Sequence, residues 1–237
     1  MDSTSPQATS LVAWWPFDTP GGSLLKERSG GGYDGTLTDF IPAKVWQLDQ
    51  TLGGAVIKFD GVAGFVSVPD AAALNLAIPF SVSGWIKYTT TGNLIVLEKN
   101  GNAGFSWQTN FSQPGKLQFN VGGTPADSPA TLSLWNDGNW HHVAWVVTAA
   151  SSTGCSVYVD GVSDTDASNR NTNAGPAYGA STAVLIGQRG SGGYGPLLGS
   201  LADIRFYNVA LSGSQVSAIY AALTRWQLYT PKGRYLA

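Results

Sequence analysis

The stretch W-H-H-V-A-W-V-V (Trp140–Val147), followed across a short polar loop by V-Y-V-D-G-V (Val157–Val162), decides the fold. Large apolar residues alternate with other residues in both segments, which is the period of a half-buried strand and not of a helix. Asp160-Gly161 then supplies two residues that tolerate positive φ, as a type I′ hairpin turn demands. Upstream, F-S-V-S-G-W-I-K-Y (Phe80–Tyr88) places Phe80, Val82, Ile86 and Tyr88 on one face and Trp85 on the other. The segments Asn93–Lys99, Phe105–Thr109 and Lys116–Val121 continue as a meander, with Gly101 and Pro114-Gly115 marking turns. Farther on, G-S-L-A-D-I-R-F-Y-N-V-A-L-S (Gly199–Ser212) reads as a strand that runs into a helix start. Ser212 with Gln215 three residues on forms a capping box, and Leu211 staples onto Val216. Val216, Ile219, Tyr220 and Leu223 make one apolar stripe, so this short helix is expected to plug one end of the structure.

A chain of 237 residues with 30 glycines and 12% charged residues suits one large core of many short strands joined by tight turns. The net charge of −2 gives no pull toward nucleic acid or an anionic membrane. No basic stripe is interleaved with aromatics, and no apolar run approaches the roughly 20 residues of a spanning helix. Cys155, the single cysteine, lies in an alternating run and reads as a small buried hydrophobe. Residues 1–10 read as a flexible polar lead without the basic and apolar regions of a secretory signal. From sequence alone, either the natural protein carries a leader that this sequence lacks, or it is expected to leave the cell by another route, such as lysis after assembly into a virus particle.

Three further segments complete a pattern: W-W-P-F-D (Trp14–Asp18), S-G-G-G-Y-D-G-T-L (Ser29–Leu37) and F-D-G-V-A-G-F-V-S-V (Phe59–Val68). With the stretches above, their order and spacing resemble a laminin-G-like domain, over Leu11 to Leu223. The resemblance implies an all-β, two-sheet antiparallel jelly-roll sandwich of the concanavalin A type, here spanning 11–223. That fold hosts lectins, adhesion modules, hydrolases and spacers, so function must be argued from a site. The resemblance also implies a structural calcium held by the aspartate that matches Asp203, and Asp18 and Asp60 are placed where they could join it. Beyond the domain, residues 224–237 carry Trp226, Leu228, Tyr229 and Tyr235 as candidate anchors and Arg234 among the rim charges. Such a tail resembles those of bacteriophage structural proteins, and it reads either as an edge strand or as a segment docking onto a second copy or a neighbouring virion protein.

Catalysis finds little support in the residues. A glycosidase needs two facing carboxylates, and the chain has two glutamates, Glu27 in a loop and Glu98 followed by Lys99. The acid-x-acid pair Asp164 and Asp166 sits in the polar loop Asp164–Gly175, read as solvated. His141 and His142 point to opposite faces and cannot share a metal. Nine tryptophans raise the question of sugar stacking; Trp14, Trp85, Trp140 and Trp145 read as core, and Trp107 is the candidate for an exposed platform. Arg189 and Tyr194, in the loop Gly187–Pro196, complete the candidate ligand contacts. The expectation is a non-enzymatic surface or adhesion module at a virion surface, as capsid decoration or tail component, with glycans as a possible ligand. The alternative is an extracellular, calcium-assisted carbohydrate-binding domain of a secreted bacterial protein.

Overall fold

The computed structural model describes residues 6–40, 45–109, 113–123, 129–167, 175–179, 181–188 and 194–221. Among the described residues, fifteen strands form two antiparallel sheets. The first sheet holds β1 (Leu11–Trp15), β4 (Trp46–Asp49), β5 (Gly54–Asp60), β7 (Phe80–Lys87), β11 (His141–Val147), β12 (Cys155–Val159), β13 (Val162–Ser163) and β15 (Leu198–Tyr207). The second holds β2 (Leu24–Leu25), β3 (Gly35–Thr38), β6 (Phe65–Val68), β8 (Leu94–Lys99), β9 (Phe105–Thr109), β10 (Leu117–Val121) and β14 (Val184–Ile186). The non-sequential strand order is that of the expected jelly-roll sandwich. Asp160 and Gly161 take φ of 51° and 78° in the turn between β12 and β13, as their sequence requires.

The core lies between the sheets because alternation sends every second side chain inward. Phe80, Val82 and Ile86 of β7 and Tyr88 just beyond it all join it, whereas Trp85 faces the other way. Trp145 of β11 ties the two layers together. It stacks on Phe119 of β10 at 5.3 Å and meets Trp107 of β9 edge-on at 6.5 Å. Cys155 is likewise buried.

The outer face of the eight-stranded sheet is mostly covered. Helix α1 (Gly213–Tyr220) opens on Ser212, and both halves of the capping box are present. Val216 and Ile219 pack with Ala144, Val146, Tyr207 and Leu211 on that outer face. The helix therefore lies on a sheet, and the expected plug at one end is corrected: its stripe has outward apolar side chains of β11 and β15 to cover. Leu223 lies outside the described residues. Residues 6–10 are not a loose lead either, since Gln7 is buried, donates to Ala218 O and accepts from Arg205. No described helix is long and apolar enough to cross a membrane.

Candidate functional site

The outer face of the seven-stranded sheet is of a different kind. Strand registers align Asn120, Ser106, Glu98, Leu185, Ser67, Thr36 and Leu24 as one continuous cross-strand row. Their sequence neighbours Phe119, Trp107, Leu97, Val184, Val66 and Leu37 point into the core, so strand alternation fixes the row's side chains outward. At a strand spacing of about 4.8 Å the row is roughly 29 Å long. A second, shorter row runs beside it through Gln118, Gln108 and Ile95.

Exposure changes along the row. Thr36 is exposed and Leu24 is 41% exposed, Ser67 and Leu185 are half-buried, and Glu98, Ser106 and Asn120 are buried. The face is thus open over β2, β3 and β6 and closed over β9 and β10, with the Glu98 carboxylate at the boundary. Neither Ser106 Oγ nor the amide of Gln108 has a hydrogen-bond partner among the described residues, although both side chains are fully buried. Buried polar groups are costly to leave unpaired. A hydroxyl, a carboxamide and a carboxylate side by side supply the donors and acceptors that a polyhydroxylated ligand uses.

Lys99, next to Glu98 in sequence, does not accompany it. Its side chain turns to the opposite face, where Nζ pairs with Asp70 Oδ1 at 2.6 Å and donates to Thr182 O. Glu27 does structural work: its carboxylate accepts from the amides of Trp14, Ser29 and Gly32, anchoring the glycine-rich turn to β1. Asp164 accepts from Trp135 Nε1 at 2.7 Å and Asp166 pairs with Lys116 at 2.9 Å, so this end of the polar loop is docked and not solvated.

Of the expected ligand contacts, Trp107 is a correction. It is fully buried between the sheets, because Ser106 and Gln108 take the outward positions of its strand. It can present no face to a sugar. Tyr194 is half-buried and precedes Gly195, which bridges Leu94 and accepts from the Ile95 amide. Tyr194 therefore lies near the start of β8, on the sheet that carries the row. Arg189 lies outside the described residues, as do Trp226, Leu228, Tyr229, Arg234 and Tyr235.

The three aspartates expected to hold calcium each have partners within the protein. Asp203, with φ of 52°, sits at the irregularity where β15 leaves β5 and takes up β1. Its oxygens accept from Arg205 Nε at 2.9 Å, Arg205 Nη2 at 2.8 Å and Trp14 Nε1 at 2.7 Å. Asp18 pairs with Arg28, and Asp60 accepts from the Val62 amide. The three are committed to separate partners, and no cluster of three metal-ligating side chains occurs among the described residues. His141 and His142 do face opposite sides of β11. His141 is held between Asp160 (Nδ1, 2.8 Å) and Asp137 (Nε2, 3.1 Å), whereas His142 packs at 5.4 Å from Trp85. Burial works against the His141 cation, but hydrogen bonds to the two aspartates outweigh it and raise its pKa above the usual value.

Residues 60–217 match the family model described as the concanavalin A-like lectin/glucanases superfamily. No curated protein sequence matches the chain. Among solved structures, domain 4 of AbnA, an extracellular GH43 arabinanase from Geobacillus stearothermophilus, in complex with arabinotriose, is similar at 20% identity and a TM-score of 0.67, covering 90% of this chain and 98% of that one. Trypanosoma rangeli sialidase in complex with sialic acid is similar at 18% identity and a TM-score of 0.63, covering 91% of this chain and 33% of that one. The binding domain of Paraclostridial Mosquitocidal Protein 1 is similar at 14% identity and a TM-score of 0.62, covering 92% and 53%. The chain thus spans about a third of the sialidase, and identities this low establish the fold alone. They also overturn the expectation of a non-enzymatic module: the sialidase and the GH43 arabinanase are enzymes, so this fold is at home within catalytic proteins.

Proposed function

The chain belongs to the concanavalin A-like lectin/glucanase superfamily, and on that premise we propose that it is a glycan-binding domain whose ligand lies across the outer face of the seven-stranded sheet. The observation that carries this reading is the cross-strand row from Leu24 through Thr36, Ser67 and Glu98 to Asn120, a polar face that passes from open to closed. Support for the ligand class comes from the arabinanase domain, whose structure holds arabinotriose and matches this chain over nearly its whole length. The same neighbour, described as extracellular, supports action outside the cell. Virion placement rests on residues 224–237, outside the described structure, and gains no support from the comparisons.

The test is calorimetric titration with arabinotriose and a panel of neutral oligosaccharides, alongside an assay for released reducing ends. Filling the half-buried part of the row with Ser67→Phe is expected to weaken binding at least about tenfold, as steric exclusion from a hydrogen-bonding site should. Glu98→Gln separates two roles. Binding lost with the charge makes Glu98 an acceptor for sugar hydroxyls, whereas turnover lost with binding retained makes it a proton-handling group. Glycan binding unchanged in both variants, or absent from the wild type, refutes the reading.

A further inference from the structure

On the opposite sheet, the ends of β4, β5, β7 and β15 frame an open cleft of about 300 Å³. Leu48, Asp49, Lys58, Lys87, Leu198 and Ser200 line it. The register is informative: Ser200 stands opposite Lys58 on β5 and opposite Lys87 on β7, so the three side chains share one face. The lysine α-carbons lie two strand spacings apart, roughly 10 Å, and their long stems can converge over the hydroxyl between them.

The five described lysines divide cleanly. Lys26, Lys99 and Lys116 each pair with an aspartate. Lys58 and Lys87 make no ion pair among the described residues, and these are the two that share the cleft. Asp49 is close enough for Lys87 to help hold its carboxyl below the usual range, but burial acts on it first, and its oxygens are taken by the amides of Thr51 and Leu52 and by Trp140 Nε1. Nearby, Asp60 accepts from the Val62 amide and Asp137 is engaged by Asn139 and His141. The lining itself therefore carries two cations against one committed carboxylate. Beside them stands an exposed aliphatic side chain, Leu198 at 47%, on the same face of β15 as Ser200.

We infer that this cleft binds a carboxylate-bearing sugar, its carboxylate held between Lys58 and Lys87 over Ser200 and the C–H face of its ring resting on Leu198. The cations recognise the acid group, and the exposed Leu198 side chain beside them distinguishes a sugar acid from an inorganic anion. This site lies on the other sheet from the polar row and does not depend on it.

The experiment titrates trigalacturonate into the full chain at low salt, with the neutral galactose trisaccharide and sulfate as controls. Saturable binding is expected, falling at least about tenfold in Lys58→Gln/Lys87→Gln through loss of charge-assisted hydrogen bonds, and weakening as salt rises. Glu98→Gln is expected to leave it unchanged. Both lysines sit on a sheet surface, and Lys58→Gln at its exposed position serves if the double variant misfolds. The inference is overturned if trigalacturonate does not bind, if the lysine variants bind it equally, if the neutral trisaccharide binds as well, or if sulfate displaces it at equal concentration. Loss on Glu98→Gln alone would also overturn it, and would assign the acid to the polar row.

Discussion

Asp203→Ala tests the most consequential polar contact in the sandwich. Arg205 is fully buried and Asp203 is 3% exposed, and two of the three arginine hydrogen bonds described here go to that carboxylate. Removing it leaves a buried guanidinium facing the neutral Gln7 Oε1 at 2.6 Å, and it strips the Trp14 indole N–H of its acceptor. Breaking a buried pair from one side costs about 3–5 kcal/mol, against a total stability of roughly 5–15 kcal/mol for a domain. At about 2–4 °C per kcal/mol for a chain of this size, the midpoint of thermal unfolding falls by roughly 10 °C. The pair itself need not be stabilising, because burying both charges cost desolvation at the outset. The double change Asp203→Leu/Arg205→Met is therefore expected to recover much of the loss. Urea and thermal unfolding measure both variants, and EDTA is added to the wild type in parallel. A loss below about 1 kcal/mol would mean the pair is solvated like a surface ion pair. A midpoint lowered equally by EDTA would make Asp203 a metal ligand and refute the ion-pair argument.

Two other predictions concern positions whose roles the structure reassigns. Trp107→Ala empties a core position between the sheets, so it should cost about 3–5 kcal/mol in unfolding while the folded fraction keeps its glycan affinity; lost binding at unchanged stability would contradict the inward placement. The clamp of Asp137, His141 and Asp160 makes stability depend on pH in a signed way. His141 is raised above its ordinary 6.5, so its contribution is full below that value and fades as pH rises through the folded pKa. Asp137 is lowered below its ordinary 3.8: burial opposes this, but hydrogen bonds from Asn139 and His141 prevail, so its contribution is full above 3.8 and fades as pH falls through the folded pKa. The clamp is then strongest between those two ordinary values. His141→Gln should flatten the alkaline decline of the unfolding midpoint, and a decline of unchanged slope would remove His141 as its cause.

The parts of this fold that sequence makes legible are those set by local chemistry. Asp160-Gly161 declares a left-handed turn, Ser212 with Gln215 declares a helix start, and β7 sorts Trp85 from its neighbours by parity. Each outcome depends on residues a few positions apart. What Asp203 touches is not local: Trp14 lies 189 residues away and comes into contact only when β1 docks on β15. The calcium expectation carried over a residue type by resemblance, whereas the partner that the structure gives this aspartate is the arginine two positions on, which reaches its carboxylate across the irregularity of β15. The sequence L-A-D-I-R-F contains that pairing, and the i, i+2 spacing of opposite charges on a strand was the signal that could have revealed it.

The segment F-S-W-Q-T illustrates why the candidate site was harder to see than the fold. Strand alternation dictates that Trp107 and its two polar neighbours face opposite ways, but parity alone does not say which side is the interior. Taking the polar flanks as a mark of exposure made the tryptophan the ligand contact. Burial energetics decides the other way. An indole face between two sheets removes far more apolar surface from water than a serine and a glutamine would, and gains ring contacts with Trp145 besides. The side chains left outward are then Ser106 and Gln108, and registers with β8 and β10 align them with Glu98, Gln118 and Asn120. In a two-sheet sandwich the large apolar member of each alternating pair is claimed by the core. A binding face is therefore better sought among the polar residues between the aromatics, wherever several adjacent strands place them in one row.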